Sequence, residues 1–230
     1  MPEPGWIWPL TRRERMWHIV FPLSCPFCGC KLKMPRRVCE TCEKDVHIGR
    51  KEVVLLAHGI QPFDVYAPFF YQDRVRAALV RYKFYNRPDL YRFFGDVMAA
   101  TLCFLREEEP VITWIPVSPQ RKKQRGYDQS ELLARRMGKM WHRPVEPLLL
   151  KKKDNKVQHE LSKKERARNV KGVYGAQGDI VGKRILLVDD ILTTGSTMQE
   201  AASVLWKEGA EHVTGVVAAI RGCNQPGRIL

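Results

Sequence analysis

The sequence predicts an α/β protein, in which a parallel sheet is flanked by helices, with a small cysteine-rich module before it. Strand and helix patterns alternate from residue 111 onward, which is typical of a parallel sheet covered on both faces. Five of the seven cysteines fall between residues 25 and 42, which indicates metal binding rather than scattered thiols. We therefore expect an N-terminal metal-binding module at residues 1–50 and the α/β domain at residues 51–230.

Each expected element follows from the spacing of its apolar residues. Strands are expected within 53–72 and at 111–117, 184–189 and 212–219, and helices at 73–85, 90–105, 130–141 and 196–208. The segment 151–171 carries nine basic and three acidic residues without apolar periodicity, so it predicts a long loop, with room for one short helix around 163–169.

The positive net charge of the chain indicates which classes of ligand it can attract. The chain has 39 basic and 25 acidic residues, a net charge of +14. Such a surface attracts polyanions through counterion release, so nucleic acid and small polyphosphates suit it, although part of the charge can serve solubility alone. No run approaches the roughly 20 apolar residues of a membrane span, and no signal-peptide pattern opens the chain. We expect a cytoplasmic protein without a membrane span.

The cysteines form two CxxC knuckles. Cys25 and Cys28 make the first knuckle, and Cys39 and Cys42 make the second, with ten residues between them. Four thiolates in this arrangement are the donor set of a structural Zn²⁺ ion. Cys30 and His47 are weaker alternative ligands. A closed four-thiolate site leaves no open position for catalysis, so its expected role is folding or partner binding.

A second motif follows the apolar strand 185–188. Asp189 and Asp190 come where this strand emerges, and the turn Thr193-Thr194-Gly195-Ser196-Thr197 then leads into a helix. Ligands of open α/β sheets bind beyond the carboxyl ends of strands, and a helix N-terminus favours phosphate. Two adjacent carboxylates suit the vicinal hydroxyls of a ribose. The sequence therefore predicts a site for a ribose 5-phosphate, although Asp and Thr are also common helix caps.

These residues resemble the phosphoribosyl-pyrophosphate motif of the type I phosphoribosyltransferases. Segments 115–134 and 158–172 and the cysteine knuckles extend the resemblance to the ComF family of competence proteins, over about residues 25–221. The resemblance implies the type I phosphoribosyltransferase fold. It also implies that Asp189 and Asp190 hold the ribose hydroxyls, that Thr193–Thr197 hold the 5-phosphate, and that Mg²⁺ accompanies phosphoribosyl pyrophosphate.

Other positions complete this expected site. Ser118 and Arg121 follow strand 111–117 and are candidates for binding the pyrophosphate. By resemblance, 151–171 takes the place of a flexible lid, with Arg166 as the candidate catalytic lid residue and Asn169 as a second lid contact. The alternatives are a solvated basic face and a disordered loop. The chain departs from the family at Asp128, where Asn is usual, and at Asn155, where Thr is frequent.

For the function, the resemblance implies a DNA-uptake factor of natural transformation that handles single-stranded DNA beside a helicase or other DNA-processing partner. The candidate nucleic-acid contacts are the basic residues Lys122, Lys123, Arg125, Lys151, Lys152 and Lys153. Phe84 and Tyr85 lie among cations and can stack on bases, whereas Tyr82 is expected in the core. Two alternatives are an active phosphoribosyltransferase that releases pyrophosphate with an unidentified acceptor, and a sensor of phosphoribosyl pyrophosphate without turnover.

Overall fold

A computed structural model describes residues 24–32, 36–56, 61–85, 87–152 and 172–222 of the chain. The helices are α1 (Glu40–Asp45), α2 (Asp73–Phe84), α3 (Leu90–Thr101), α4 (Pro119–Arg125), α5 (Gln129–Trp141) and α6 (Ser196–Lys207), with a 3₁₀ segment at Cys103–Glu108. The strands are β1 (Lys51–Leu56), β2 (Pro62–Ala67), β3 (Phe69–Phe70), β4 (Val111–Trp114), β5 (Leu149–Lys151), β6 (Tyr174–Ala176), β7 (Arg184–Leu192) and β8 (His212–Ile220). Among the described residues, no helix has the length and apolarity to cross a bilayer.

The main sheet has the strand order β1-β2-β8-β7-β4, and β3 also pairs with β8. The pairs β2–β8, β3–β8, β8–β7 and β7–β4 are parallel, which confirms the expected parallel sheet. The edge strand β1 is antiparallel to β2, so the sheet is mixed. The reason is chain length: five residues join β1 to β2, enough for a hairpin but too few for a parallel crossover. Strands β5 and β6 form a separate antiparallel pair.

The two faces of the sheet are buried by different helices. Leu186 and Val188 of β7 face the cluster that contains α2, α3 and α5, whereas Ile185 and Leu187 face the cluster of α6 and the β5–β6 pair. Burial on both faces explains why β7 begins as an unbroken apolar run.

The cysteine-rich segment shares the first of these clusters. The ring of Phe27 contacts those of Phe69 and Phe93 at centroid distances of 5.9 and 5.3 Å. The buried carboxylate of Asp96, on α3, accepts hydrogen bonds from Arg37 at 2.9 Å and from Arg136 of α5 at 2.5 Å. One carboxylate thus links the cysteine segment to two helices. The domain boundary placed after residue 50 stays a prediction.

The element limits differ from the expected ones in several places. The helix expected at 90–105 ends at Thr101, and the 3₁₀ segment follows it. Strand β4 ends at Trp114 instead of residue 117, because Pro116 has no N–H to donate to a sheet. A short helix, α4, then begins at Pro119, a residue suited to the first helical position. Strand β7 continues to Leu192, so the acidic pair lies within the strand rather than after it.

Candidate functional site

The acidic pair lies near the carboxyl end of β7. The Oδ1 atom of Asp189 accepts a hydrogen bond of 2.8 Å from the hydroxyl of Ser130, at the start of α5. The same atom accepts another of 2.8 Å from the backbone N–H of Asp190. Asp190 itself is 7% exposed. Both carboxylates are therefore held in place by protein groups, at the edge of the sheet where the sequence predicts a ribose.

The pKa of Asp189 differs greatly from that of an ordinary carboxyl group. Burial, and next the negative charge of Asp190, raise the pKa of Asp189 to about 7. The charge of Lys83 and the hydrogen bond from Ser130 lower the pKa of Asp189, but by less than burial and Asp190 raise it. Asp189 therefore exchanges its proton near neutral pH. A strongly perturbed carboxylate at a sheet edge is typical of a functional site.

Asp189, Asp190 and Lys83 together form what we call the acidic site. Lys83 is not among the residues that the sequence predicts for this site. From the last turn of α2 its Nζ atom lies 2.9 Å and 3.2 Å from the two carboxylate oxygens of Asp190. Its sequence signal is weak: it follows Leu79 by four residues and so borders the apolar face of α2. Only the fold brings α2 to β7, which are more than a hundred residues apart in the chain.

The turn after β7 has the geometry expected for a phosphate site. Gly195 has a φ of 78°, in the left-handed region that glycine adopts without strain. Helix α6 begins at Ser196, and the N–H of Gln199 bonds to the carbonyl of Gly195 at 2.8 Å. The N–H groups that precede Gln199 have no carbonyl partner within the helix, so they can face an anion.

The hydroxyl groups of the turn lie at the N-terminus of α6. The oxygens of Thr194 and Ser196 lie 3.1 Å apart, while Thr193 is exposed and Thr197 is half-buried. All five residues of the predicted turn therefore stand at one helix N-terminus, next to the acidic pair.

The loop between β4 and α4 is tied to α5 by Asp128. Its carboxylate accepts from the backbone N–H of Val117 at 2.9 Å and from the N–H groups of Ser130 and Glu131 at 3.1 and 3.2 Å. Burial raises the pKa of Asp128, against the opposing effect of these backbone bonds. All three bonds are accepted, so an Asn here would accept at most two of them with its one oxygen, whereas the two oxygens of Asp128 accept all three.

Ser118 and Arg121 adjoin this loop. The hydroxyl of Ser118 caps α4 by accepting from the N–H of Arg121 at 3.3 Å, and Ser118 is 1% exposed. The charge of Arg121 acts on Tyr174 of β6, whose pKa is raised by burial and next by Asp189. The β5–β6 pair thus flanks the acidic site from the side opposite α2.

The candidate nucleic-acid residues divide between two surfaces. Lys122 and Lys123 are exposed on α4, where Lys122 pairs with Glu131 at 2.8 Å. Lys151 and Lys152 lie at the end of β5, and the ammonium of Lys151 is 5.7 Å from the centroid of the Tyr174 ring. Lys153, Asn155, Arg166 and Asn169 lie outside the described residues.

Arg125 and the aromatic residues at the end of α2 meet beside the acidic site. The guanidinium of Arg125 lies 5.0 Å from the centroid of the Phe84 ring and donates to the side-chain oxygen of Gln129 at 3.1 Å. Phe84 and Tyr85 are 63% and 68% exposed. Tyr82 is fully buried and donates to the carbonyl of Gln129 at 2.7 Å, which confirms that it belongs to the core.

The predicted cysteine set comes together in space. The sulfur atoms of Cys25, Cys28, Cys39 and Cys42 all lie within 4.8 Å of one another, so they could hold a metal ion. Cys30 is exposed and does not belong to this set. Four thiolates around one point match tetrahedral coordination.

Helix α2 contacts the cysteine-rich segment near both of its ends, and it contacts the acidic site near its C-terminal end. Arg74 donates to the sulfur of Cys42 at 3.4 Å, and Arg81 donates to the carbonyls of Pro26, at 2.9 Å, and Phe27. Lys83 follows Arg81 by two residues. The first knuckle therefore anchors the part of α2 that presents Lys83 and Phe84.

The chain is similar to phosphoribosyl transferase domains and to competence proteins. Residues 132–226 match the phosphoribosyl transferase domain family. Competence protein ComFC of Bacillus subtilis is 30% identical over 80% of this chain and 72% of its own length. Competence protein F of Haemophilus influenzae is 27% identical over 82% of this chain and 81% of its length. The DNA utilization protein YhgH of Escherichia coli is 32% identical over 44% of this chain and 45% of its length.

The similarity to ComFC extends over most of both chains, and the sheet with its flanking helices is that of a phosphoribosyltransferase. On this evidence, the chain belongs to the ComFC family of competence proteins and has the type I phosphoribosyltransferase fold with an N-terminal four-cysteine cluster.

Proposed function

We propose that the protein is a cytoplasmic DNA-uptake factor of natural transformation that binds single-stranded DNA and phosphoribosyl pyrophosphate. The observation that carries the proposal is the position of Phe84, an exposed ring beneath Arg125, one residue from the lysine that pairs with Asp190. A surface for stacking bases thus adjoins a surface for a sugar phosphate. The names of the relatives, competence proteins and a DNA utilization protein, support a role in DNA handling.

The sugar-phosphate part of the proposal rests on β7 and α6. Asp189 and Asp190 would accept hydrogen bonds from the ribose hydroxyls, and residues 193–197 would surround the 5-phosphate at the start of α6. Arg121 would contribute positive charge to the pyrophosphate, near Ser118. Carboxylate and phosphate oxygens are the donors that Mg²⁺ prefers, and the ion would neutralise part of the pyrophosphate charge.

The DNA part rests on cations that surround an exposed aromatic surface. Lys122 and Lys123 on α4 and Lys151 and Lys152 at the end of β5 would follow the phosphate backbone, whereas Phe84 and Tyr85 would stack on bases. A helicase or another DNA-processing protein is the proposed partner. The proposed ion of the cysteine cluster is Zn²⁺, because four thiolates satisfy it without an open position.

The deciding experiment is a titration of the protein with a fluorescent single-stranded oligonucleotide at two salt concentrations. We expect binding that weakens steeply with salt, and a loss of about fivefold or more in Phe84→Ala, because a base–aromatic stack is worth about 1–3 kcal/mol. Phe84→Trp should restore binding. Lys122→Ala with Lys123→Ala should reduce the salt dependence, whereas Lys207→Ala, which removes an exposed lysine from the opposite end of α6, should not. An absence of binding at low salt would reject the DNA part.

The sugar-phosphate part has its own test. Asp190→Ala should abolish binding of phosphoribosyl pyrophosphate, measured by calorimetry with Mg²⁺, and should leave oligonucleotide affinity nearly unchanged. Retained ligand binding in this variant would exclude the acidic pair as the ribose site.

A second candidate function is an active phosphoribosyltransferase. The pKa of Asp189 near neutrality favours it, because catalytic carboxylates are often perturbed in this way. In that case, pyrophosphate release should appear with some acceptor and disappear in Asp190→Ala. Binding of the ligand that changes oligonucleotide affinity without pyrophosphate release would instead indicate a sensor.

A further inference from the structure

Lys83 is held in its charged form inside the acidic site. Burial by itself would lower the pKa of Lys83, but the carboxylates of Asp190 and Asp189 outweigh burial and raise it. The ammonium group lies 2.9 and 3.2 Å from the two oxygens of Asp190. An ammonium has three N–H donors, and the contact with Asp190 uses at most two of them. Lys83 is therefore a fixed positive charge that can donate to a further acceptor.

Two arginines bring more positive charge to the same place. The positive charge of Arg125 is close enough to Lys83 to act against its raised pKa, and the positive charge of Arg121 lowers the pKa of Arg125. Arg125 donates to the neutral side-chain oxygen of Gln129 rather than to a carboxylate. Three cations from α2 and α4 thus converge beside one acidic pair. The three cations outnumber the two carboxylates, so an additional anion among them would be favourable.

The fold defines where that anion would lie. The 5-phosphate belongs at the start of α6, and the ribose hydroxyls belong at Asp189 and Asp190. The substituent on the first carbon of the ribose would then extend from the acidic pair to neighbouring positive charge, which Lys83 and Arg125 supply beside Asp190.

We infer that Lys83 is a further ligand-binding residue of this site, whose ammonium bridges Asp190 and the pyrophosphate group of phosphoribosyl pyrophosphate. This inference rests on the proposed function and assigns to Lys83 the selection of a pyrophosphorylated sugar over a plain sugar phosphate. A compact ammonium on a flexible stem suits this role, since it can shift towards a phosphate oxygen and keep one bond to Asp190. The competing explanation is that Lys83 only neutralises Asp190 and stabilises the fold.

The two explanations differ in the selectivity that they predict. The full-length protein and Lys83→Met are titrated by calorimetry with phosphoribosyl pyrophosphate and, separately, with ribose 5-phosphate, in Mg²⁺. If Lys83 contacts the pyrophosphate, Lys83→Met should lose at least about tenfold more affinity for the first ligand than for the second, because a charge-assisted hydrogen bond is removed from one of them only. Lys83→Arg, which keeps the charge, should recover part of the selectivity.

The matched control is Lys207→Met. It removes an exposed lysine from the last turn of α6, at the end opposite the turn 193–197, and it should leave the ratio of the two affinities unchanged. An equal loss for both ligands in Lys83→Met, or no loss for either, would overturn the inference. If the unmodified protein binds neither ligand, the proposed function fails first and the inference falls with it.

A second measurement needs no variant, in case Lys83→Met does not fold. The unmodified protein is treated with an amine-acylating reagent, and the modification of Lys83 and Lys207 is followed by mass spectrometry. Phosphoribosyl pyrophosphate with Mg²⁺ should protect Lys83 and leave the exposed Lys207 reactive. Equal protection of Lys83 by ribose 5-phosphate would contradict a contact with the pyrophosphate.

Discussion

The hydroxyl of Ser130 donates a 2.8 Å hydrogen bond to the carboxylate of Asp189, so the first turn of α5 and the end of β7 are joined at the candidate ribose site. This bond favours the charged form of a carboxylate whose pKa burial and Asp190 raise to about 7. Ser130 therefore adjusts the pH at which Asp189 becomes the stronger hydrogen-bond acceptor, and two predictions follow from the titration of Asp189.

Ser130→Ala should shift the pH dependence of sugar-phosphate binding to higher pH. In the unmodified protein, affinity for phosphoribosyl pyrophosphate should rise as pH increases through about 7, because the ionised carboxylate accepts from the ribose hydroxyls. Loss of the Ser130 donor raises the pKa of Asp189 further, so the midpoint should move up by about one unit. Calorimetry between pH 6 and pH 9 measures it. Ser203→Ala, which removes a hydroxyl bonded to the carbonyl of Gln199, should leave the midpoint in place.

Asp189→Asn should become stabilising as the pH rises. The pKa of Asp189 is higher in the folded chain than the value of about 3.9 expected in the unfolded chain, so the folded state binds the proton more tightly. Between these two pKa values, ionisation of Asp189 costs folding free energy as pH increases. The free energy of unfolding of Asp189→Asn, relative to the unmodified protein, should therefore increase from about pH 4 to about pH 7 and then level off, as measured by urea denaturation.

The control variant for this prediction should show the opposite pH dependence of stability. Arg143 lowers the pKa of Glu109, so the charged form of Glu109 favours the folded state. Glu109→Gln should therefore lose a little stability relative to the unmodified protein as the pH rises through the range where Glu109 ionises. A rising curve for both variants would show that the effect does not come from Asp189.

Asp96→Asn should destabilise the fold strongly. Asp96 is 3% exposed and accepts from Arg37 and Arg136, so the change removes the charge that both guanidinium groups share. Removing one partner of a buried ion pair costs about 3 kcal/mol or more. Urea denaturation measures the loss. Arg135→Ala, which breaks an exposed pair with Glu131, should change stability far less, and comparable losses would exclude a special role for Asp96.

Cys39→Ser should release the metal ion and loosen the segment around it. Binding energy at such a site is largely folding energy, and the first knuckle anchors Arg81 on α2. We expect loss of stoichiometric zinc, measured by elemental analysis, and a lower unfolding temperature. Cys103→Ser, at an exposed thiol outside the cluster, should change neither. A full zinc content in Cys39→Ser would disprove coordination by four thiolates.

Much of the fold could be predicted from the sequence because the signals for its elements are local. The apolar run of β7, the helical spacing in α5 and α6, and the CxxC knuckles each depend on residues close in the chain. The predicted end of β4 was wrong because two local signals conflict there. The apolar run continues, but Pro116 ends the strand and Pro119 then begins α4. The antiparallel pairing of β1 depends on the length of its connection, which an apolar pattern does not reveal.

The sequence by itself determined the parallel α/β class, the four-cysteine set and the succession of apolar strand, acidic pair, turn and helix, because each is encoded by neighbours along the chain. The tertiary structure decided that Lys83 meets Asp190, that Ser130 meets Asp189, and that Arg125 covers Phe84. These contacts join residues 41 to 107 positions apart, and no local pattern specifies which helix packs beside which strand. The raised pKa of Asp189 has the same origin, since burial and a neighbouring charge arise only when the sheet and its helices pack together.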